Sequence, residues 1–165
     1  GDIVSLDAGL IHEGYHSDAA RTHAVGEVSE EAKKLIQVTK ECFFEGIKYA
    51  KAGNHLFDIS GAIGRYAEER GYGVVRDLCG HGIGTALHEA PEIPNYEVGR
   101  KGVKLRPGMT LAIEPMINIG TYEVDWLDDD WTVVTRDGSL SAHYENTILI
   151  TEGEPRILSL TCDNE

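Results

Sequence analysis

Ile3-Val4-Ser5-Leu6-Asp7-Ala8-Gly9-Leu10-Ile11 and Tyr15-His16-Ser17-Asp18-Ala19-Ala20-Arg21-Thr22-His23-Ala24-Val25 are two strand-like runs joined through His12-Glu13-Gly14. A polar, glycine-ended link between two such runs predicts a tight hairpin. With the turn centred near residues 12 and 13, Asp7 and Asp18 face each other across the paired strands, on one side of the sheet. Like charges opposed in this way repel unless a cation bridges them. The hairpin therefore reads as part of a metal pocket; two unrelated surface aspartates are the plainer alternative.

Beyond the hairpin the periodicity changes. Ser29 suits an N-cap, Glu30 and Glu31 complement the positive end of a helix, and Leu35, Cys42, Phe43, Ile47 and Ala50 recur at helical spacing. A helix of about twenty residues is expected there. Asn54 or Asp58 opens a second, with Ile59, Ile63, Tyr66 and Ala67 on one stripe and Gly71 suited to the left-handed residue that ends it. These stripes are core. From Val74 onward the pattern turns to short β segments at residues 110–117, 131–135, 141–151 and 156–160. The acidic run at residues 125–130 reads as a solvated loop. The fold class expected is α+β, a single domain over residues 1–165.

Charge narrows the function. Lys and Arg total 15 against 28 Asp and Glu, a net charge of −13, which disfavours neutralising phosphates or anionic lipid. Nucleic acid and membranes are therefore not expected partners. No apolar run approaches the roughly 20 residues of a membrane span, and no signal peptide is visible, so a soluble, cytoplasmic protein is expected. Cys42, Cys79 and Cys162 are too few and scattered for a disulfide framework or a zinc motif, and are read as reduced thiols.

The most unusual stretch is Cys79-Gly80-His81-Gly82-Ile83-Gly84-Thr85-Ala86-Leu87-His88-Glu89-Ala90-Pro91. Its glycines lack the spacing of a phosphate or dinucleotide loop. They would instead let the backbone approach a ligand or bend sharply, with the His81 imidazole in a cavity. His12, His23, His55 and His143 read as ordinary hydrogen-bonded histidines, and His16 as a residue behind the ligands at most. Glu114 sits in the apolar run Leu111-Ala112-Ile113-Glu114-Pro115-Met116, and Glu145 precedes Asn146-Thr147-Ile148-Leu149-Ile150. A glutamate in such a run is costly to bury without a counter-charge. Asp7, Asp18, His81, Glu114 and Glu145 together make four carboxylates and one imidazole. Two divalent ions balance that charge, whereas one would leave a net of minus two.

Ser5-Leu6-Asp7, Tyr15-His16-Ser17-Asp18, Gly80-His81-Gly82-Ile83-Gly84, His88-Glu89-Ala90-Pro91, Ile113-Glu114-Pro115-Met116 and Ser139-Leu140-Ser141-Ala142-His143-Tyr144-Glu145 resemble the methionine aminopeptidases in order and spacing. The short interval between Glu114 and Glu145 resembles type I of that family. The resemblance implies the pita-bread fold, two divalent ions (cobalt, manganese, iron or zinc) held by Asp7, Asp18, His81, Glu114 and Glu145, and Asp18 and Glu145 bridging them. It implies that His88 stabilises charge on the scissile carbonyl and that Cys79, Leu87 and Trp131 border the methionine pocket. Glu114 is the expected proton shuttle. The implied substrates are the N-termini of peptides and nascent chains. The family also carries an upstream segment with a further active-site histidine and much of the pocket, so the chain resembles an N-terminally shortened member. An exposed sheet edge and apolar face are then expected, open to self-association or to pairing with that segment. A pita-bread peptidase for Xaa-Pro substrates and a non-catalytic binding module are the alternatives.

Overall fold

The computed structural model describes residues 1–160, so Cys162 lies outside the described residues. Strands β1 (Ile3–His12) and β2 (Tyr15–Ala24) form the expected hairpin. Its turn sits one residue later than expected, at Glu13 and Gly14, whose φ values of 50° and 85° are both positive. Two-residue turns that match the strand twist need positive φ at both positions, and glycine adopts it without a Cβ clash. The register therefore pairs Asp7 with Ala20 and Gly9 with Asp18. Asp7 and Asp18 are not directly opposed; they lie diagonally, two positions apart, and stay on one face because the side-chain period is two.

Helix α1 (Glu30–Ile47) starts as its sequence dictates, with the Ser29 hydroxyl accepting the Ala32 N–H at 3.1 Å. Helix α2 (Leu56–Glu68) is capped differently from expectation: His55 is its N-cap, and Asp58 reaches back to accept the His55 N–H at 2.8 Å. Gly71 follows with φ 82°. The helices meet where Gly46 leaves room for Ile63: a Cβ there would lie 2.6 Å from Ile63 Cγ1. Their buried stripes join Leu111, Ile113, Ile117 and Ile148 of the sheets in one core.

The remaining strands are β3 (Gly73–Val74), β4 (Gly80–Gly82), β5 (Glu89–Ile93), β6 (Thr110–Ile113), β7 (Met116–Asn118), β8 (Val124–Trp126), β9 (Val133–Thr135), β10 (Ser141–His143), β11 (Asn146–Leu149) and β12 (Arg156–Ile157). Every described pairing is antiparallel. One sheet runs β12-β11-β6-β4-β5 and another β10-β7-β3. Two segments expected as continuous strands are thus broken. β6 gives way to β7 at Glu114-Pro115, and β10 to β11 at Tyr144-Glu145, so this strand pair leaves one sheet and enters the other at one level. Pro115 has no N–H for a ladder, and its carbonyl accepts the Tyr144 N–H at 3.2 Å. The acidic run is shorter as a loop than expected, because Asp125 and Trp126 belong to β8 in a hairpin with β9.

The β1–β2 hairpin docks at the break. Glu145 N–H donates to the Ala20 carbonyl at 2.9 Å. Thr147 Oγ1 accepts the Asp18 N–H at 2.9 Å and donates to the Asp18 carbonyl at 3.0 Å. Thr22 Oγ1 bridges the His143 N–H and carbonyl at 2.8 and 2.9 Å. β1 itself is exposed along nearly its whole length, with Leu6 60 % and Leu10 59 % exposed. This matches the expected open apolar face. No helix among the described residues is long and apolar enough to cross a membrane.

Candidate metal centre

The break in the strands turns neighbouring side chains to opposite sides. Tyr144 faces α1, its ring 5.4 Å from that of Phe43, and Arg21 lies over it at 4.1 Å. Glu145 faces the other way, into the carboxylates. Arg21 also donates to the Glu145 carbonyl and to Asn146 Oδ1, tying β2 to the break. The five expected ligands converge from five places along the chain: Asp7 from β1, Asp18 from β2, His81 from β4, Glu114 from the break between β6 and β7, and Glu145 from the break between β10 and β11.

His81 lies on a strand squeezed between β5 and β6. A Cβ at Gly80 would strike the Ala112 carbonyl, and one at Gly82 the Ala90 carbonyl. The flanking glycines thus serve backbone-to-backbone approach, not approach to a ligand. His81 Nδ1 lies 2.9 Å from the Gly82 carbonyl. A carbonyl only accepts, so Nδ1 carries the hydrogen and Nε2 presents a lone pair. That lone pair points at Asp18 Oδ2, 3.9 Å away, and at Glu114 Oε1, 3.5 Å away. Three acceptors facing one another are repulsive by themselves.

Glu145 states the problem most sharply. It is 1 % exposed, and neither carboxylate oxygen has a hydrogen-bond partner; a bond to the neighbouring Asp7 carboxyl would need a shared proton. Burial above all, then the charges of Glu114, Asp18 and Asp7, push its carboxyl up to about 10. Burial first, then Asp7, raises the Asp18 carboxyl too, with His81 opposing. Potential ligand atoms of Asp18, His81 and Glu145 lie within 4.8 Å of one another, as do those of Asp7, His143 and Glu145. Orphaned buried oxygens in a set of carboxylates and imidazole fit a hard or borderline divalent cation.

His143, expected as an ordinary hydrogen-bonded histidine, makes no side-chain hydrogen bond among the described residues and lies with Asp7 and Glu145 in a group of potential ligands. Its Nε2 stands 3.5 Å from Glu114 Oε2, buried and without a partner. The signal was available: His143 is two residues before Glu145, and extended chain returns to the same side every second residue. His12, His23 and His55 join neither group of potential ligands. His16 meets the glycine-rich segment through its backbone, donating to the Gly84 carbonyl at 2.7 Å.

Beside the centre opens a cavity of about 880 Å³, lined by Cys79, His81, His88, Phe57, Arg100 and Val103 among others. The His88 ring meets His81 edge-on, centroids 4.4 Å apart. Leu87 packs over Gly9, its Cδ1 3.5 Å from where a Cβ would be. Trp131, 84 % exposed at the tip of the β8–β9 hairpin, is not among the cavity-lining residues. Cys42 and Cys79 are both free thiols; burial pushes the Cys42 thiol up to about 12 and raises that of Cys79.

Residues 1–152 match the sequence model of metallopeptidase family M24. The chain belongs to that family. Among M24 relatives, a methionine aminopeptidase of Clostridium acetobutylicum is 60 % identical over 160 residues, which cover 97 % of this chain and 64 % of the relative. The crystal structure of methionine aminopeptidase from Thermotoga maritima superposes with a TM-score of 0.94 at 50 % identity, covering 98 % of this chain and 65 % of that one. A prolidase from Pyrococcus furiosus shares the fold at TM-score 0.76 and 28 % identity, with 42 % of its chain covered. The chain thus has the pita-bread M24 fold, and spans about two thirds of the methionine aminopeptidases it matches. Family and donor set agree on divalent metal binding.

Proposed function

We propose that this chain carries the metal centre of a methionine aminopeptidase, an enzyme that hydrolyses the first peptide bond of chains beginning with methionine. Asp7, Asp18, His81, Glu114 and Glu145 would hold two divalent ions of the manganese, iron, cobalt or zinc class. Bound there, the ions supply the Lewis acidity that polarises the scissile carbonyl and acidifies an attacking water. Glu114 takes the proton from that water and returns it to the leaving amine. His88, exposed at the mouth of the cavity and braced against His81, donates to the carbonyl oxygen as it gains charge. Cys79 lines the cavity that would take the methionine side chain. Leu87 and Trp131, which do not line it, are assigned to that pocket by resemblance alone.

The observation that carries this reading is Glu145, whose two buried, unpartnered oxygens belong to both groups of potential ligands. Identities of 45–60 % to methionine aminopeptidases, against 28 % to the prolidase, favour the methionyl over the prolyl substrate. The test is calorimetric titration with manganese and cobalt, followed by hydrolysis of methionyl and Xaa-Pro tripeptides. Two bound ions with release of methionine, lost in His88→Ala, is the expected result. Release from the Xaa-Pro peptide alone, or no metal uptake, would overturn the proposal.

A further inference from the structure

Glu114 lies between two imidazoles, one on each carboxylate oxygen. His81 Nε2 is 3.5 Å from Oε1, and His143 Nε2 is 3.5 Å from Oε2. The two rings differ in what constrains them. The Gly82 carbonyl fixes the His81 hydrogen on Nδ1, which leaves its Nε2 a lone pair suited to a cation. His143 makes no side-chain hydrogen bond among the described residues, so nothing obliges its hydrogen to sit on Nδ1. A lone pair on His143 Nε2 would face an acceptor-only oxygen, whereas an N–H there would meet it favourably. The backbone of His143 is pinned on both sides by Thr22 Oγ1, so the ring is delivered to this place by the docking of β2. Among the described residues Glu114 is the one carboxylate within 4.0 Å of the His143 ring nitrogens, although Asp7 and Glu145 also offer oxygens within 4.8 Å of a His143 nitrogen.

We propose that His143 is a positioning residue whose Nε2–H donates to Glu114 Oε2, holding that carboxylate with Oε1 turned toward His81. The inference rests on the metal-centre reading above and adds a group that acts through a ligand without being one. The 3.5 Å separation is about 0.5 Å longer than a formed bond. The ring breaks no other hydrogen bond in closing it.

Cobalt(II) serves as the probe, read by calorimetry and by the visible absorption of the bound ion, on the wild type, His143→Ala and His143→Gln. His143→Ala should weaken cobalt binding by about 10- to 100-fold. His143→Gln, whose amide N–H can donate at the same point, should recover most of the affinity. The absorption of bound cobalt should keep its shape in both, because no ligand is lost. Circular dichroism checks folding; if the alanine variant does not fold, His143→Met replaces it as a side chain of similar bulk without a donor. Unchanged affinity in the donor-free variant would overturn the inference, and so would a changed absorption with a lost ion that glutamine does not restore, which would make His143 a ligand. A wild-type chain that takes up no cobalt would overturn the metal-centre reading itself.

Discussion

Ala20 and Glu145 exchange backbone hydrogen bonds, the Glu145 N–H reaching the Ala20 carbonyl at 2.9 Å and the Ala20 N–H the Glu145 carbonyl at 3.4 Å. This contact brings a hairpin from the start of the chain to a strand break more than a hundred residues later. Two residues along β2, Thr147 grips Asp18 by both its backbone N–H and its carbonyl.

Thr147→Val keeps the shape and removes the hydroxyl. It leaves the buried Asp18 backbone groups unpaired, which costs about 1–3 kcal/mol. Urea denaturation of the metal-free protein should show that loss, and calorimetry a weaker metal site, because Asp18 is no longer held in place. An unchanged denaturation midpoint would mean that the hairpin is anchored elsewhere.

Without metal, stability should fall as pH rises. The Glu145 carboxyl moves from its ordinary 4.5 to about 10 in the folded chain, so between those values the native state keeps a proton that the unfolded state has lost. The unfolded state then binds fewer protons, and stability decreases with pH across that window. Melting temperatures in chelator should drop from pH 5 to pH 9. Saturating manganese should remove the drop, since a cation replaces the proton. Glu145→Gln in chelator should flatten the same profile; a slope that persists in this variant would assign it to other groups.

Glu145→Ala should also change metal stoichiometry. The side chain belongs to both groups of potential ligands, so its loss should abolish tight binding of the second ion and weaken the first. Calorimetry that still returns two tight sites would rule out Glu145 as a ligand shared by both ions.

Much of this was readable from residue types. The helix stripes were visible because an α-helix repeats its buried face every three or four residues, and the core confirms Leu35, Phe43, Ile59 and Ile63. The five ligands stood out as charged or imidazole groups in apolar or glycine-flanked settings, where burial needs compensation. The strand breaks at Glu114-Pro115 and Tyr144-Glu145 were not visible, because leaving one sheet for another is decided by which strand is already alongside, and period-two patterning runs through a break unaltered. The turn was misplaced by one residue because positive φ at Glu13 is a property of the closed hairpin. His143 was missed for want of a parity argument: it stands two residues before Glu145, where an extended chain returns to the same side.

The outer surface of β1 should bring two copies together. Val4, Leu6, Ala8 and Leu10 share one side of the strand, with Val4 42 %, Leu6 60 % and Leu10 59 % exposed. Among the described residues β1 pairs only with β2, so its other edge presents free N–H and C=O groups beside that apolar face. An edge of this kind is a template for a further strand. The net charge of −13 opposes association, so added salt should strengthen it by screening the repulsion. Light scattering should give a mass above the 18.1 kDa of one chain, rising with salt. Leu6→Lys with Leu10→Lys should return it to the single-chain value, since two cations on the apolar face cannot be buried without partners. A separate fragment able to cover the same strand would compete with self-association and lower the mass in the same way. A wild-type solution that scatters as 18.1 kDa at every salt concentration would show that this face stays open to water.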